Sequence, residues 1–376
     1  MLRVTVEQGS RITFTDPVAN TGFAVAFQRT LRIPDDGKDY PLPPGLRSFP
    51  VRRVLAYRDR VPATWVKTSG VFLPMYQREA MWIKFTARSW RPNAAKVAAG
   101  KINAVSGKPW DQTLHTPDRT GREETQDYLT CPPQPWLDGF NTGSGSVRQF
   151  VAMPLGMGYT VEGQVTGKEV HGGVQLIVYE PKPGRFPEPR RCRSAGAEDS
   201  EDNFDDDDLD DNDDDFDDND DLETAYDPLE ELSSTRGPRS AGKPKARSMG
   251  LAGGGKIVQK IYPDPYGIET WDESNYGRVF VHIVNSEMWR EITGEDLPPT
   301  PVSAHTYTQH GFPWFKLYDE HQNDLPPSTI LSGVKPVAAM DALNGFVGSD
   351  DDESLNVPPA QLHGVRHPNE VPDGDW

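Results

Sequence analysis

The sequence predicts a mainly β protein with α+β character: a β-sandwich-like N-terminal part followed by a smaller α+β C-terminal part. Apolar and polar residues alternate in many short segments, which is the period of half-buried strands. The 35 prolines and 34 glycines recur between these segments, where they favour chain reversals. The two segments that favour helices both lie after residue 285.

Nine strands are predicted in the N-terminal part. They are Leu2–Val6, Ile12–Phe14, Phe23–Ile33, Val51–Tyr57, Met81–Phe85, Lys96–Val105, Val147–Met153, Tyr159–Val165 and Val174–Tyr179. Turn clusters such as residues 35–37 and 142–145 separate them. Residues 159–179 form the clearest hairpin, whose loop begins at Gly167 or Gly172.

The C-terminal part combines strands and helices. Lys256–Tyr262 and Arg278–Val284 alternate like strands. Ser286 is a suitable N-cap for a short helix over residues 287–293, and Gly294 would end it. A last helix is predicted over residues 334–346.

An acidic run interrupts the chain between residues 198 and 231. It holds 21 Asp and Glu residues and no Lys, Arg or His. Such a block repels itself and buries little apolar surface, so it is predicted to be disordered. The predicted organisation is a β-rich domain (1–182), a disordered acidic-then-basic insert (183–252), an α+β segment packed on the first domain (253–347) and a flexible tail (348–376).

The acidic run also indicates what the protein can bind. Outside it, 57 − 21 = 36 acids face 39 bases, so the net charge of −18 comes from this one segment. The run either stays solvated and aids solubility or engages a basic protein. Its sign excludes direct nucleic-acid binding, which requires cations. The basic block after Arg236 lacks the interleaved aromatic residues that stack on bases.

Several other classes of protein are disfavoured. The chain has no long apolar segment and begins without a signal-peptide pattern, and its two cysteines, Cys131 and Cys192, are poorly placed for a structural disulfide. We therefore expect a soluble, cytoplasmic protein without a membrane partner. The eight histidines lack metal-binding spacing, and GLAGGGK (250–256) continues with Ile257 instead of Ser or Thr, so neither a metal nor a nucleotide cofactor is expected.

The polar residues of the 159–179 hairpin are the candidate ligand-binding residues. They are Glu162, Gln164, Glu169, His171 and Gln175. In a strand, Thr160, Glu162, Gln164 and Thr166 would point to one side. This polar stripe either faces solvent or lines a cleft in which Glu162 acts as a general base with His171 as its partner.

Five sequence blocks resemble a family of uncharacterised bacterial and fungal soluble proteins. They are MYQREAMW (75–82), KINAVSG (101–107), PWLDG (135–139), RQFVAMPLGMGYTVE (148–162) and IYPDPYG (261–267). The resemblance implies that the segments before and after the insert belong together, and that the acidic run is an elaboration of this protein. It implies no activity, cofactor or catalytic residue.

Two classes of function follow. The first is a non-catalytic interaction or ligand-binding protein, whose acidic arm aids solubility or engages a cationic partner. The alternative is a hydrolase with a carboxylate/His site on the 159–179 hairpin, for which Glu162 would need to lie in a concave pocket with its partner.

Overall fold

The computed structural model describes residues 1–17, 21–88, 90–117, 125–187, 248–317, 323–346 and 352–365, and the fold over these residues is mainly β as predicted. The strands are β1 Arg3–Glu7, β2 Arg11–Asp16, β3 Thr21–Thr30, β4 Asp39–Tyr40, β5 Gly45–Ser48, β6 Arg52–Arg53, β7 Val71–Met75, β8 Ala80–Ala87, β9 Asn93–Ala99, β10 Ile102–Asn103, β11 Leu129–Cys131, β12 Trp136–Leu137, β13 Gly139–Gly143, β14 Ser146–Pro154, β15 Val174–Pro181, β16 Ser248–Val258, β17 Trp271–Asn285, β18 Trp314–Leu317 and β19 Leu362–Val365. The helices are α1 Ala63–Thr68, α2 Val161–Thr166, α3 Trp289–Thr293, α4 Ala304–Gln309, α5 Thr329–Ser332 and α6 Val337–Leu343.

Strands β1 to β17 form one large, mostly antiparallel sheet, and β18 and β19 form a small parallel one. The main ladder runs β1, β2, β3, β8, β14, β16, β17, β15, β9, all antiparallel. Leu2 N donates to the Tyr276 carbonyl at 3.0 Å, which brings β1 back to β17. The main core contains residues such as Phe14, Ile83 and Val281. Strands from before and after residues 188–247 therefore build one sheet and share one core.

Two predicted strands are wrong, and a third, Lys96–Val105, is split: β9 ends at Ala99, Gly100 and Lys101 form a turn, and the chain returns as β10 antiparallel to β9. Only Arg52–Arg53 of the segment Val51–Tyr57 pairs as a strand, and Val54–Tyr57 is a 3-10 turn. Tyr159–Val165 is not a strand, because residues 161–166 form α2, so the predicted 159–179 hairpin does not exist. Val54 and Tyr57 are three positions apart and Val161 and Val165 are four apart, spacings that also fit a helical turn.

The glycine-rich segment 250–255 lies inside β16 and is buried. The insert boundary predicted at residue 252 thus falls within a strand. A Cβ atom on Gly255 would lie 2.3 Å from the Pro34 carbonyl oxygen, so this position requires glycine for close approach of two backbones. At the other predicted boundary, Phe186 packs edge-on against Tyr266 with ring centroids 5.1 Å apart. The acidic run 198–231, with most of the insert, lies outside the described residues.

The predicted C-terminal helices are present with shifted ends. A 3-10 turn over Ser286–Met288 leads into α3, and the cap is Asn285, whose side chain accepts from Glu287 N, rather than Ser286. As predicted, Gly294 ends α3, and its φ is 80°. Helix α6 lies within the predicted 334–346 segment. The described part of the predicted flexible tail instead includes β19, which pairs with β18.

Among the described helices, none has the length and apolar composition that a membrane crossing requires.

Candidate functional site

Helix α2 carries two of the five sequence-predicted site residues, Glu162 and Gln164. The Thr160 side chain caps this helix by accepting from Gly163 N at 3.0 Å, and Gly167 ends it in the left-handed conformation. Val161 is buried and Val165 packs against the same core. Since these two residues are four apart, they share a face of the helix, and the polar stripe expected of a strand does not form.

Glu162 is buried beneath the loop that follows α2. Its carboxylate accepts hydrogen bonds from the backbone nitrogens of Val170 (2.9 Å), His171 (2.9 Å) and Gly172 (2.8 Å). Gly100 leaves the space for it, because a Cβ there would lie 2.5 Å from Glu162 Cβ. Three backbone donors occupy both oxygens, which gives Glu162 a structural role in shaping this loop.

Glu169, Gln164 and Gln175 also bind backbone groups. Glu169 accepts from Thr160 N and Gly158 N, both at 3.0 Å, and from Gly156 N. Gln164 exchanges two hydrogen bonds with the backbone of Lys335, at 2.8 and 3.0 Å. Gln175 accepts from Lys101 N at 2.6 Å and donates to the Gly172 carbonyl at 2.9 Å. These side chains fasten one loop to its surroundings.

His171 contributes its backbone, not its ring, to this arrangement. Its side chain is exposed, and partial burial together with the nearby charge of Lys101 lowers its pKa, against the opposing effect of Glu162. The structure therefore brings the five residues together around the loop between α2 and β15. Their hydrogen bonds are those of a structural anchor, and Glu162 has no oxygen left for a general-base role.

A second polar cluster lies on the buried face of β9 that points away from the main core. We call Lys96, Asp111, His115 and Asp127 the Lys96 cluster. Lys96 is only 1% exposed, and its neighbours on this face of β9 are the small residues Ala94 and Ala98. Its ammonium lies 2.7 Å from Asp127 Oδ2, 2.9 Å from Asp111 Oδ1 and 2.5 Å from the Thr113 carbonyl. All three of its protons thus have an acceptor.

Asp127 and His115 form a dyad within this cluster. His115 Nδ1 lies 2.9 Å from Asp127 Oδ2, and His115 N donates to Asp127 Oδ1 at 2.9 Å. The Asp127 carboxylate is buried, while the imidazole is 27% exposed. On its other side, His115 Nε2 lies 3.8 Å from Asp111 Oδ2, and Asp111 is 54% exposed. The dyad therefore joins a buried carboxylate to a ring edge that solvent reaches.

Aromatic residues and the loop after β10 enclose the cluster. The Trp110 ring centroid lies 5.8 Å from Lys96 Nζ. Tyr179 donates to the Gln112 carbonyl, and burial with the nearby Glu273 and Asp127 carboxylates raises its pKa, which keeps this phenol protonated. These contacts hold residues 110–115 against the sheet.

Asp111, His115 and Asp127 could also hold a metal ion. One ligand atom from each lies within 4.8 Å of the others, and carboxylate with imidazole is a common donor set. However, Lys96 already supplies a positive charge to both carboxylates. The group fits a metal only if the ammonium is displaced.

Sequence reasoning missed this cluster. Its residues span positions 96 to 127, and His115 stood among eight scattered histidines. Two signals were present in the sequence: a lysine within an apolar, alanine-rich strand, and the spacing of four residues from Asp111 to His115.

Comparisons of the chain with protein-family models, with curated proteins and with solved structures found no match. The resemblance of the five sequence blocks to a family therefore stays a prediction.

Proposed function

We propose that the protein is a hydrolase that activates water at the Lys96 cluster. The observation that carries this proposal is Asp127 Oδ2, which lies 2.9 Å from His115 Nδ1 and 2.7 Å from Lys96 Nζ. A buried carboxylate on Nδ1 orients the ring and leaves Nε2 to accept a proton, as in a histidine general base. The candidate general base is therefore His115 with Asp127 as its partner, in place of Glu162 with His171.

Each member of the cluster has a distinct task. Asp127 sets the tautomer of His115, and Lys96 is a positioning residue whose ammonium holds the buried Asp127 carboxylate at 2.7 Å. His115 Nε2 takes a proton from water while the water oxygen bonds to an ester carbonyl carbon. The same proton then passes to the departing alkoxide. Asp111, exposed beside Nε2, positions the water.

A panel of chromogenic carboxylic, phosphate and glycosidic esters tests this proposal on the full chain. We expect turnover of carboxylic esters and a loss of kcat/KM of about 10²- to 10⁴-fold in His115→Gln and in Asp127→Asn. His171→Gln is the matched control, since it removes the histidine of the sequence-predicted site. Circular dichroism and thermal midpoints separate loss of catalysis from loss of fold.

Two outcomes would overturn the proposal. One is the absence of turnover across the panel by a folded protein. The other is residual turnover that His115→Gln leaves unchanged.

A second candidate function is binding of a cationic partner by the acidic run. Its support is the concentration of 21 acidic residues within residues 198–231, against a nearly balanced remainder. In this function the acidic run contacts the partner and the folded part carries the run. The sparse cysteines favour a cytoplasmic location for the protein.

Fluorescence anisotropy with labelled polylysine tests the second function. The full chain should bind at least tenfold more tightly than a chain lacking residues 198–231, and the difference should shrink as salt screens the charges. Labelled polyglutamate of equal length is the control. Equal polylysine binding by both chains would assign the contact to the folded part instead.

A further inference from the structure

A strongly basic surface lies on the segment 52–68, which we call the basic hairpin because it leads from β6 to its antiparallel partner β7. It comprises β6, the 3-10 turn Val54–Tyr57 and α1. Its exposed cations are Arg53, Arg58, Arg60 and Lys67, against a single acid, Asp59. Within the part of the chain that the structure describes, none of these four cations forms an ion pair. Uncompensated charge of one sign attracts a segment of the opposite sign.

A pocket whose walls combine apolar side chains with the charged Arg60 and Glu291 opens beside this surface. The Trp65 pocket has a volume of about 220 Å³ and is lined by Arg60, Pro62, Trp65, Val284, Met288, Glu291 and Ile292. A cavity of about 150 Å³ accepts a benzene ring, so the pocket has room for one phenyl side chain. Arg60 donates to the Ile292 carbonyl at 3.2 Å, which places a cation at the pocket wall.

The chain itself leads to this pocket. Ser248 is the first described residue after position 247, and its Oγ accepts from Trp65 Nε1 at 3.2 Å. Ser248 also pairs with Val284, a second residue of the pocket wall. The acidic run ends at Glu231, and the 16 residues from 232 to 247 reach up to about 55 Å when extended. The run is therefore tethered within reach of the basic hairpin.

We propose that the acidic run 198–231 docks on the basic hairpin of its own chain, with a phenylalanine of the run in the Trp65 pocket. The run has the required chemistry, since its carboxylates flank Phe204 and Phe216. Individual surface ion pairs contribute little, so the phenyl anchor supplies specificity and the many charges supply attraction. A docked run is withheld from other cationic partners. This inference is independent of the proposed hydrolase.

Carbodiimide cross-linking of the full chain tests the docking, because it joins carboxylates to amines in contact and Lys67 is the amine of the basic hairpin. We expect mass spectrometry to find links between Lys67 and residues 198–231, and 1 M salt to reduce them at least fivefold by screening. Arg58→Glu with Arg60→Glu should reduce them similarly. Arg3→Glu with Lys168→Glu, an equal charge change elsewhere on the exposed surface, should not.

Two further variants and a mixing experiment sharpen the test. Phe204→Ser and Phe216→Ser together should lower the Lys67 links at least threefold, and an unchanged yield would overturn the role of the pocket.

Links confined to Lys243 and Lys245 would show that the run pairs within its own segment and would overturn the docking. Links between isotopically light and heavy chains would assign the contact to a second molecule. If a hairpin variant fails to fold, titration of the arm-deleted chain with a 198–231 peptide decides the question.

Discussion

His282 is a buried neutral histidine with a consequence for stability in acid. Its ring is sandwiched between Trp65 and Phe280, with centroids 4.6 and 4.3 Å away. Burial lowers its pKa to about 4, against the opposing hydrogen bond to the Ser69 carbonyl. The neutral ring thus contributes stability above the unfolded pKa of about 6.5, and this contribution is lost as pH falls through about 4.

We expect His282→Phe, which keeps the ring stack, to flatten the stability profile between pH 6.5 and 4. The difference between variant and wild type should change by on the order of 3 kcal/mol across this window. Urea unfolding at several pH values measures it, with the exposed His310→Gln as control. Parallel profiles for wild type and His282→Phe would contradict the prediction.

Asp138 has the opposite effect to His282 on the pH dependence of stability. Burial raises its pKa to about 7, although Trp136 and Gln259 donate hydrogen bonds to it. Its contribution to stability is therefore complete below the unfolded pKa of about 3.9 and is lost as pH rises through about 7. Asp138→Asn, which resembles the protonated acid, should gain on the order of 4 kcal/mol relative to wild type between pH 4 and pH 8. Chemical unfolding at both pH values checks this, and an unchanged difference would contradict it.

Lys96 is the buried cation on which its cluster depends. Lys96→Met leaves the Asp127 and Asp111 carboxylates without their partner and should cost about 3–5 kcal/mol of unfolding free energy. It also frees three metal-ligand atoms, so Zn²⁺ should raise the thermal midpoint of Lys96→Met but not that of wild type. Lys96→Met with His115→Gln is the control and should lose the Zn²⁺ effect. A Zn²⁺ shift of equal size in wild type would show that the ammonium does not exclude metal.

At the scale of elements, Glu162 determines how α2 connects to β15. Glu162→Gln replaces an acceptor-only carboxylate with an amide whose NH₂ group faces backbone donors, so at least one of them loses its bond. We expect a loss of about 2–4 kcal/mol of stability, because hydrogen bonds to a charged group are strong and the Gly172 donor is buried. Ester turnover per folded molecule should stay unchanged. Lys168→Ala, in the same loop, is the control for stability, and a selective loss of turnover in Glu162→Gln would restore the original enzyme hypothesis.

At the scale of the whole molecule, the acidic run contributes the net charge and the folded part contributes the thermal stability. Deleting residues 198–231 changes the net charge from −18 to −18 + 21 = +3. Since docking through surface charges contributes little, the thermal midpoint should move by no more than about 3 °C. Differential scanning calorimetry of both chains measures this. A large loss of stability would show that the run is part of the folded core.

Much of the fold was predictable, and the errors have a shared cause. Strands such as β3, β8, β14 and β17 alternate over enough residues to be identified from period alone. The segment that became α2 is only six residues long, and its two valines fit either a strand or a helix. The Thr160 cap and the terminal left-handed Gly167 favour the helix.

The mainly β class, the charge partition and the candidate polar residues of 159–175 can be read from the sequence, because they depend on local periodicity and composition. The contacts of those polar residues depend on the tertiary fold. It buried Glu162 under backbone donors, and it joined Lys96, His115 and Asp127 from a strand and the chain beyond it. Contacts between residues distant in sequence arise from strand pairing and packing, so local sequence patterns do not specify them.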